Sequence, residues 1–155
     1  PDHGFVLNEP RFARAKILVA GPNCGCGSSR EHAVWAHLDF GIEAIIAESF
    51  GPIFRDNALR NGLPAITLDG AAVSQVLAQL AALPANRMTV DLERAEVTGP
   101  DGTAYRFTMD EERRRALLDG IDDISATLAH APDIDAFHSA DRIRNPYYWV
   151  QPPRD

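Results

Sequence analysis

The spacing of apolar residues predicts a chain in which strands and helices alternate. The apolar run 17–20 is typical of a strand, and apolar residues recur at helical spacing between 33 and 40, with Ala33, Ala36 and Phe40 on one face. Residues 44–49 have the continuous apolar character of a buried strand. Strand, helix and strand in this order predict a parallel β-α-β unit, whose first strand is followed by a glycine-rich loop.

The same patterns predict elements for most of the remaining chain. Helices are expected at 52–60, where Asn61-Gly62 would end the helix, and then at about 71–83, 109–119 and 121–130. Strands are expected at 65–68, 88–92, 95–98 and 104–109, with a turn at 99–102. We therefore predict a single α/β domain with a mixed sheet and flanking helices. The aromatic segment 145–150 is expected to pack on its own domain, or alternatively on a partner.

Composition and charge narrow the class of protein. A chain of 155 residues can bury about two-thirds of its unfolded surface, and 45% hydrophobic and 24% charged residues are ordinary for a globular domain. Because no apolar stretch approaches the about 20 residues of a membrane span, and no signal peptide is visible, we expect a cytoplasmic protein. The net charge of −7 argues against a nucleic-acid partner, so an anionic ligand has to be held by local charge.

Residues 21–32 carry the strongest functional signal, with the sequence Gly-Pro-Asn-Cys-Gly-Cys-Gly-Ser-Ser-Arg-Glu-His. Glycines at 21, 25 and 27 indicate backbone that needs a positive φ or a close approach to a ligand. The first N–H groups of the helix that follows lack intrahelical partners, and the positive end of its dipole lies there. A loop of this kind predicts an anion-binding pocket.

Arg30 and two serines provide the candidate chemistry of this loop. The planar guanidinium of Arg30 suits a carboxylate, and the hydroxyls of Ser28 and Ser29 lie beside it in sequence. These residues predict binding of a small carboxylate, with proton transfer as a further step. Ser28 to Glu31 also matches the S-x-x-E capping box, in which Ser28 caps the helix and Glu31 reaches back. Both interpretations hold together if Ser29 caps instead.

Other loop and metal chemistries fit the residues poorly. A Walker loop needs a lysine after Gly27, and a dinucleotide fingerprint beginning at Gly25 needs glycine where Arg30 stands. Cys24 and Cys26 have one residue between them and no second pair, which falls short of a zinc or iron–sulfur ligand set. The five histidines show no ligand spacing either. We therefore expect neither a nucleotide nor a metal on this chain.

The glycine loop and several later segments resemble the small subunit of 3-isopropylmalate dehydratase, which is similar to the mobile swivel domain of aconitase. The resemblance rests on Gly25-Cys26-Gly27-Ser28-Ser29-Arg30-Glu31-His32-Ala33 and continues in 44–50, 53–54, 57, 61–64, 120–124, 127–128 and 134–137. It implies a three-layer swivel domain over 1–150 and a C-terminal tail at 145–155. The family's opening segment, with its Asp-Thr-Asp signature and its substrate-discriminating loop, has no counterpart here, so we expect a trimmed form of a longer protein.

The resemblance implies a hydro-lyase built from two chains. Its reaction interconverts 2-isopropylmalate and 3-isopropylmalate through 2-isopropylmaleate in leucine biosynthesis, and the large subunit holds a [4Fe-4S] cluster. By motif, Ser28 is implied to abstract the carbon-bound proton and Arg30 to hold a substrate carboxylate. Ser29 is implied to make an auxiliary carboxylate contact, with Gly25 and Gly27 lining the substrate site. The loop N–H groups can stabilise a serine alkoxide in the manner of an oxyanion hole.

Two other functions stay open. One is the small subunit of a related hydro-lyase, acting on homoaconitate or a methylated malate. The other is a non-catalytic carboxylate-binding or assembly module, which is favoured if no cluster-bearing partner exists. Among secondary candidates, Asn61 is expected to cap the helix together with Gly62, and Asn57 to orient the loop.

Overall fold

The computed structural model describes residues 5–27, 30–82, 87–120 and 123–149. Ser28 and Ser29, the implied base and its neighbour, lie outside the described residues. The chain divides into two compact units, residues 1–120 and residues 121–155. The glycine loop belongs to the first of these units.

A parallel sheet forms the centre of the first unit. Its strands, in spatial order, are β1 (Ile17–Ala20), β2 (Ala44–Ala47) and β3 (Ala65–Thr67). All four residues of β2 are buried, as expected for a central strand with a continuous apolar sequence. Helix α1 (His32–Phe40) connects β1 to β2, and α2 (Pro52–Arg60) connects β2 to β3. The predicted parallel β-α-β unit that carries the glycine loop is therefore confirmed.

A second, antiparallel sheet follows the helix α3 (Gly70–Ala82) along the chain. Its strands are β4 (Thr89–Asp91), β5 (Glu96–Thr98) and β6 (Ala104–Arg106), and α4 (Glu111–Asp119) comes after them. The turn predicted between the last two strands is present, where Gly102 N donates to Gly99 O at 3.0 Å. The predicted α/β class is confirmed, with the parallel and antiparallel pairings separated into two sheets.

Successive residues of β2 point to opposite faces of the parallel sheet and enter two different apolar clusters. Ile45 packs in a cluster that includes Phe54 of α2 and residues of α1. Ile46 packs on the other side with Val73 of α3 and Val97 of β5. The first unit thus has a layer of two helices, a central parallel sheet, and a layer formed by α3 and the antiparallel sheet.

The buried face of α1 differs from the face that the sequence predicts. The sequence places Ala36 on the apolar face, but Ala36 is exposed, while Val34 is buried and His37 is partly buried. The His37 ring packs edge-on against Phe54, and its Nδ1 lies 2.6 Å from the Ala33 carbonyl oxygen, so it acts as the donor. Because this bond satisfies the ring nitrogen within its own helix, a histidine occupies the inward position that apolar periodicity assigns to alanine.

The second unit contains α5 (Asp123–Leu128), α6 (Ala131–Arg144) and a 3-10 turn over Pro146–Trp149. The sequence predicts the first helix but assigns no element to 131–144, so α6 was missed. Its signals were Pro132 in the first turn followed by a stretch without glycine or proline up to residue 145. Within the described ranges, no helix combines the length and the apolar character needed to cross a bilayer.

Part of the aromatic tail packs on α6 of its own unit. The Trp149 ring lies 5.1 Å from the His138 ring in an edge-on arrangement, and the Arg142 guanidinium lies 4.9 Å from the Trp149 ring centre. Trp149 Nε1 donates to Asp141 Oδ2 at 2.8 Å. Tyr148, its neighbour, remains three-quarters exposed.

Candidate functional site

The ends of the three parallel strands bring three loops to one edge of the sheet. In register, Ala20 lies opposite Ala47, and Ala47 lies opposite Thr67. The glycine loop and the loop 48–51 therefore leave the sheet side by side. The carboxyl edge of a parallel sheet is where open α/β proteins commonly bind ligands.

The first half of the glycine loop is held by the loop that follows β2. Cys24 N donates to Ser49 O at 2.9 Å, and Gly51 N donates to Cys24 O at 2.8 Å. Asn23, which has a φ of 60°, donates its N–H to Ser49 Oγ at 2.8 Å. These bonds hold the backbone of residues 23 and 24 against the loop 48–51.

The three glycines of the loop have different surroundings. Gly25 has a φ of 74°, and a Cβ there would lie 2.2 Å from Phe54 Cγ. A Cβ added to Gly51 would lie 2.9 Å from Gly25 O. The expectation of a positive φ is thus met at Gly25, where the loop packs on α2. Gly21 and Gly27 have no positive φ, and apart from their chain neighbours no described residue has an atom within 4 Å of a Cβ built there, so their described surroundings are open.

The predicted capping box pairs Glu31 with Ser28 and therefore lies outside the described residues. Helix α1 begins at His32 with Glu31 as N-cap, and the described residues show no side-chain capping bond from Glu31. The Glu31 carboxylate accepts from Asn61 Nδ2 at 2.9 Å, because the end of α2 brings this amide beside it. Trp35 Nε1 donates to Asn61 Oδ1 at 3.1 Å. Asn61 therefore caps α2, as predicted, and also joins α2 to the start of α1.

Arg30 stands at the entrance of α1 with its side chain exposed. Its carbonyl oxygen accepts from Ala33 N at 3.0 Å, so its backbone is part of the first turn. No carboxylate pairs with Arg30 in the part of the chain that the structure describes. The structure places Gly25, Gly27 and Arg30 in one loop at the sheet edge; the assignments of Ser28 and Ser29 fall outside its description.

The two cysteines of the loop differ in environment. Cys24 is half-buried, and burial together with the nearby Cys26 thiol raises the pKa of Cys24 above its usual value. Cys26 is exposed, and both thiols are free. Over residues 5–27, 30–82, 87–120 and 123–149, no group of three or more His, Cys, Asp or Glu side chains is arranged to hold a metal ion.

Sequence reasoning missed a second concave region at the same edge of the sheet. A cleft of about 440 Å³ lies beside α2, and Arg55 is its basic lining residue. The sequence signal was weak, because Arg55 is one of several arginines on predicted helices and stands in no motif. Only the folded arrangement shows that the cleft adjoins Ser49, which holds the glycine loop.

Comparisons with protein families and with curated proteins agree with each other. The family described as aconitase C-terminal domain matches residues 1–71, and LeuD_N matches residues 74–111. The chain is 53% identical over 148 residues to the 3-isopropylmalate dehydratase small subunit of Cupriavidus necator, a match that covers 95% of this chain and 71% of that one. It is 45% identical over 147 residues to the small subunit of Rhizobium rhizogenes, covering 95% and 73%.

A solved structure also resembles this chain. The chain is similar to 3-isopropylmalate dehydratase (leuD) from Methanocaldococcus jannaschii, with a TM-score of 0.58 and 28% identity. The match covers 79% of this chain and 68% of that one. Sequence and structure comparisons therefore lead to proteins of the same name.

Proposed function

Since the chain belongs to the family of 3-isopropylmalate dehydratase small subunits, a family of leucine-biosynthesis hydro-lyases, we propose that it works with a large subunit to interconvert 2-isopropylmalate and 3-isopropylmalate through 2-isopropylmaleate. One observation carries this proposal: the glycine loop at the carboxyl edge of the parallel sheet is held at residues 23 and 24 by the loop 48–51, and it leads to an exposed arginine without an ion-pair partner among the described residues. That arrangement suits an anionic substrate that approaches from outside the chain.

The proposed division of labour follows from the chemistry of elimination beside a carboxylate. We assign Arg30 to the substrate carboxylate, because its guanidinium can bind both oxygens. We assign Ser28 to the removal of the carbon-bound proton and Ser29 to a further carboxylate contact. Support comes from the sequence position of the serines, which precede by a few residues the N-terminus of α1 at His32, where N–H groups and the helix dipole stabilise negative charge.

Gly25 and Gly27 are proposed to line the substrate site through their backbone. The open surroundings of Gly27 leave room for a ligand to approach its main chain, whereas Gly25 is already packed against Phe54. Closure of this surface against the large subunit would exclude water and strengthen each polar contact. The part of this chain is therefore to bind a carboxylate, shield it from water and move one proton.

The residues of this chain do not fit an iron–sulfur cluster. Cys24 is half-buried with a raised thiol pKa, which disfavours the thiolate that a cluster needs, and only Cys26 stands beside it. We therefore propose that the [4Fe-4S] cluster of the reaction belongs to the large subunit. We also propose a cytoplasmic location, a swivel domain that comprises residues 1–150, and a tail at 145–155.

The direct test is reconstitution with a 3-isopropylmalate dehydratase large subunit under anaerobic conditions. Dehydration of 3-isopropylmalate should require both chains and should exceed hydration of homoaconitate or dehydration of a methylated malate in kcat/KM. A preference for one of those other compounds would change the assigned substrate but not the assigned reaction class. A stable two-chain complex without turnover on any of them would favour the assembly module.

A further inference from the structure

The cleft beside α2 has a mixed lining that is unusual for a simple surface groove. It contains a cation, a carboxylate, two hydroxyl residues and three apolar side chains; its lining residues are Ser49, Phe50, Pro52, Arg55, Asp56, Leu59 and Thr67. The four that belong to α2 recur at helical spacing and form one face of that helix. The opposite face of α2 carries Phe54 and Ala58, which pack in the core. The cleft therefore lies apart from the α2 face that supports Gly25.

One hydrogen-bond donor of the Arg55 side chain has no acceptor. Its Nε is buried and finds no hydrogen-bond partner within the described residues. Its neighbour Asp56 is held by two other arginines, with Arg60 Nε at 3.2 Å and Arg113 Nη2 at 3.1 Å. No hydrogen bond or ion pair joins the Arg55 guanidinium to another described residue, so its charge is available to an anion that enters the cleft.

The other lining residues complete the donor set and provide an apolar wall. Ser49 Oγ accepts a hydrogen bond from Asn23 N, which leaves its own O–H to donate. Thr67 offers a second hydroxyl at the end of β3. Phe50 and Leu59 offer carbon surface, and a volume of about 440 Å³ is in the range of small-molecule sites.

We propose that this cleft binds a small aliphatic carboxylate, with the carboxylate on Arg55 and the hydrocarbon part against Phe50, Pro52 and Leu59. The Nη–H groups of a guanidinium can bind two carboxylate oxygens side by side, and they make the contact here because Arg55 Nε is buried. A single guanidinium beside apolar walls suits a carboxylate on a hydrocarbon chain better than a phosphate, which takes more donors. Ser49 joins the cleft to the glycine loop, so an occupant contacts a residue that positions that loop.

Calorimetric titration of the full chain tests the proposal. The probes are 4-methylpentanoate, a plain aliphatic carboxylate, and 3-isopropylmalate. Arg55→Gln should weaken binding about tenfold or more, because a charge-assisted bidentate contact is lost. Arg106→Gln is the matched control, since it removes the same charge from an exposed arginine on β6 that does not line the cleft, and binding should be unchanged.

Two results would overturn the proposal: neither probe binds the unaltered chain at millimolar concentration, or Arg55→Gln binds both probes as tightly as the unaltered chain does. Thr67→Val, which keeps the side-chain size and removes the hydroxyl, serves if Arg55→Gln fails to fold. It should weaken binding about threefold or more, and unchanged binding there would also count against the cleft.

The source of the carboxylate is assigned in the assembled two-chain enzyme. If the substrate itself enters the cleft, 4-methylpentanoate competes with 3-isopropylmalate and Arg55→Gln raises KM. If a separate ligand occupies it, inhibition is not competitive and Arg55→Gln leaves KM unchanged. Titration of the single chain requires no turnover, so failure of the proposed reaction and failure of the cleft are separate results.

Discussion

Gly25 is constrained by its backbone and by its neighbour at once. Its φ of 74° disfavours any side chain, and a Cβ would overlap Phe54. We predict that Gly25→Ala destabilises the chain by about 2–4 kcal/mol, the sum of a left-handed conformation and an overpacked contact. Urea unfolding measures this. Gly21→Ala, with open surroundings and no positive φ, should change stability by less than about 0.5 kcal/mol, and equal effects at both positions would show that the packing argument is wrong.

The two loop cysteines should differ in reactivity. Cys26 is exposed, whereas burial raises the pKa of Cys24 and so lowers its thiolate fraction near neutral pH. We predict that a thiol reagent modifies Cys26 first and Cys24 more slowly, by about tenfold or more. Mass spectrometry of timed samples identifies the site, with Cys26→Ser as the control that isolates the slow phase. Faster reaction at Cys24 would contradict the burial assigned to it.

Single residues mark the limit of what the sequence can predict. Arg30 could be found because it stands alone as a cation in a glycine loop. Arg55 could not, because its place in the cleft depends on the fold, and the adjacent Asp56 pairs with Arg113, 57 residues further along the chain. Such a competition among charges exists only after the chain has folded.

At the scale of elements, local signals predicted boundaries well where caps and apolar runs coincide. Helix α2 has its predicted ends because proline begins it and Asn61-Gly62 ends it. Helix α6 was missed because its exposed faces carry little apolar periodicity, with Phe137 two-thirds exposed and Ile143 more so. The buried face of α1 was misassigned at Ala36 because a hydrogen bond inside the helix makes His37 suitable for the interior.

The bond pair at Asn61 connects the end of α2 with the start of α1. Asn61→Ala should remove the contacts to Glu31 and Trp35 and destabilise the chain by about 1–2 kcal/mol. Trp35 fluorescence, recorded with Trp149→Phe in place, should shift at the same time. Asn57→Ala, on the same helix, is the control, because it keeps the backbone carbonyl that accepts from Asn61 Nδ2 at 2.9 Å and leaves the bonds to Glu31 and Trp35 in place. An unchanged Trp35 signal in Asn61→Ala would show that Asn61 does not connect α2 with the start of α1.

The contact of Trp149 with α6 should depend on acid pH. Hydrogen bonds from Asn145 and Trp149 lower the pKa of Asp141 in the folded chain. Stability from a lowered carboxyl pKa is present above the unfolded value of about 3.9 and is lost as pH falls through the folded value. With Trp35→Phe in place, Trp149 fluorescence should therefore change below about pH 4. Asp141→Asn should abolish that change, and a transition that persists in this variant would assign it elsewhere.

For the whole molecule, the sequence predicted the fold class and the family but not the arrangement of the two sheets. Strand and helix order is visible in local patterns, and the run from Gly25 to Ala33 is specific enough to indicate a family. The separation of parallel and antiparallel strands into two sheets depends on how Val97 and Val73 meet Ile46, a contact between distant parts of the chain. The sequence predicted the glycine loop of the candidate site but did not predict the cleft beside α2.

The central claim is that Ser28 moves the proton in the assembled two-chain enzyme. Anaerobic steady-state kinetics with 3-isopropylmalate test it in Ser28→Ala, with Ser29→Ala as the matched control and a thermal melt of each variant. Ser28→Ala should lower kcat by about a hundredfold or more with KM nearly unchanged, as for a lost general base. Ser29→Ala should mainly raise KM, and both should melt close to the unaltered chain. Ser28→Ala that keeps most of its turnover but melts earlier would make Ser28 a helix cap and contradict the account.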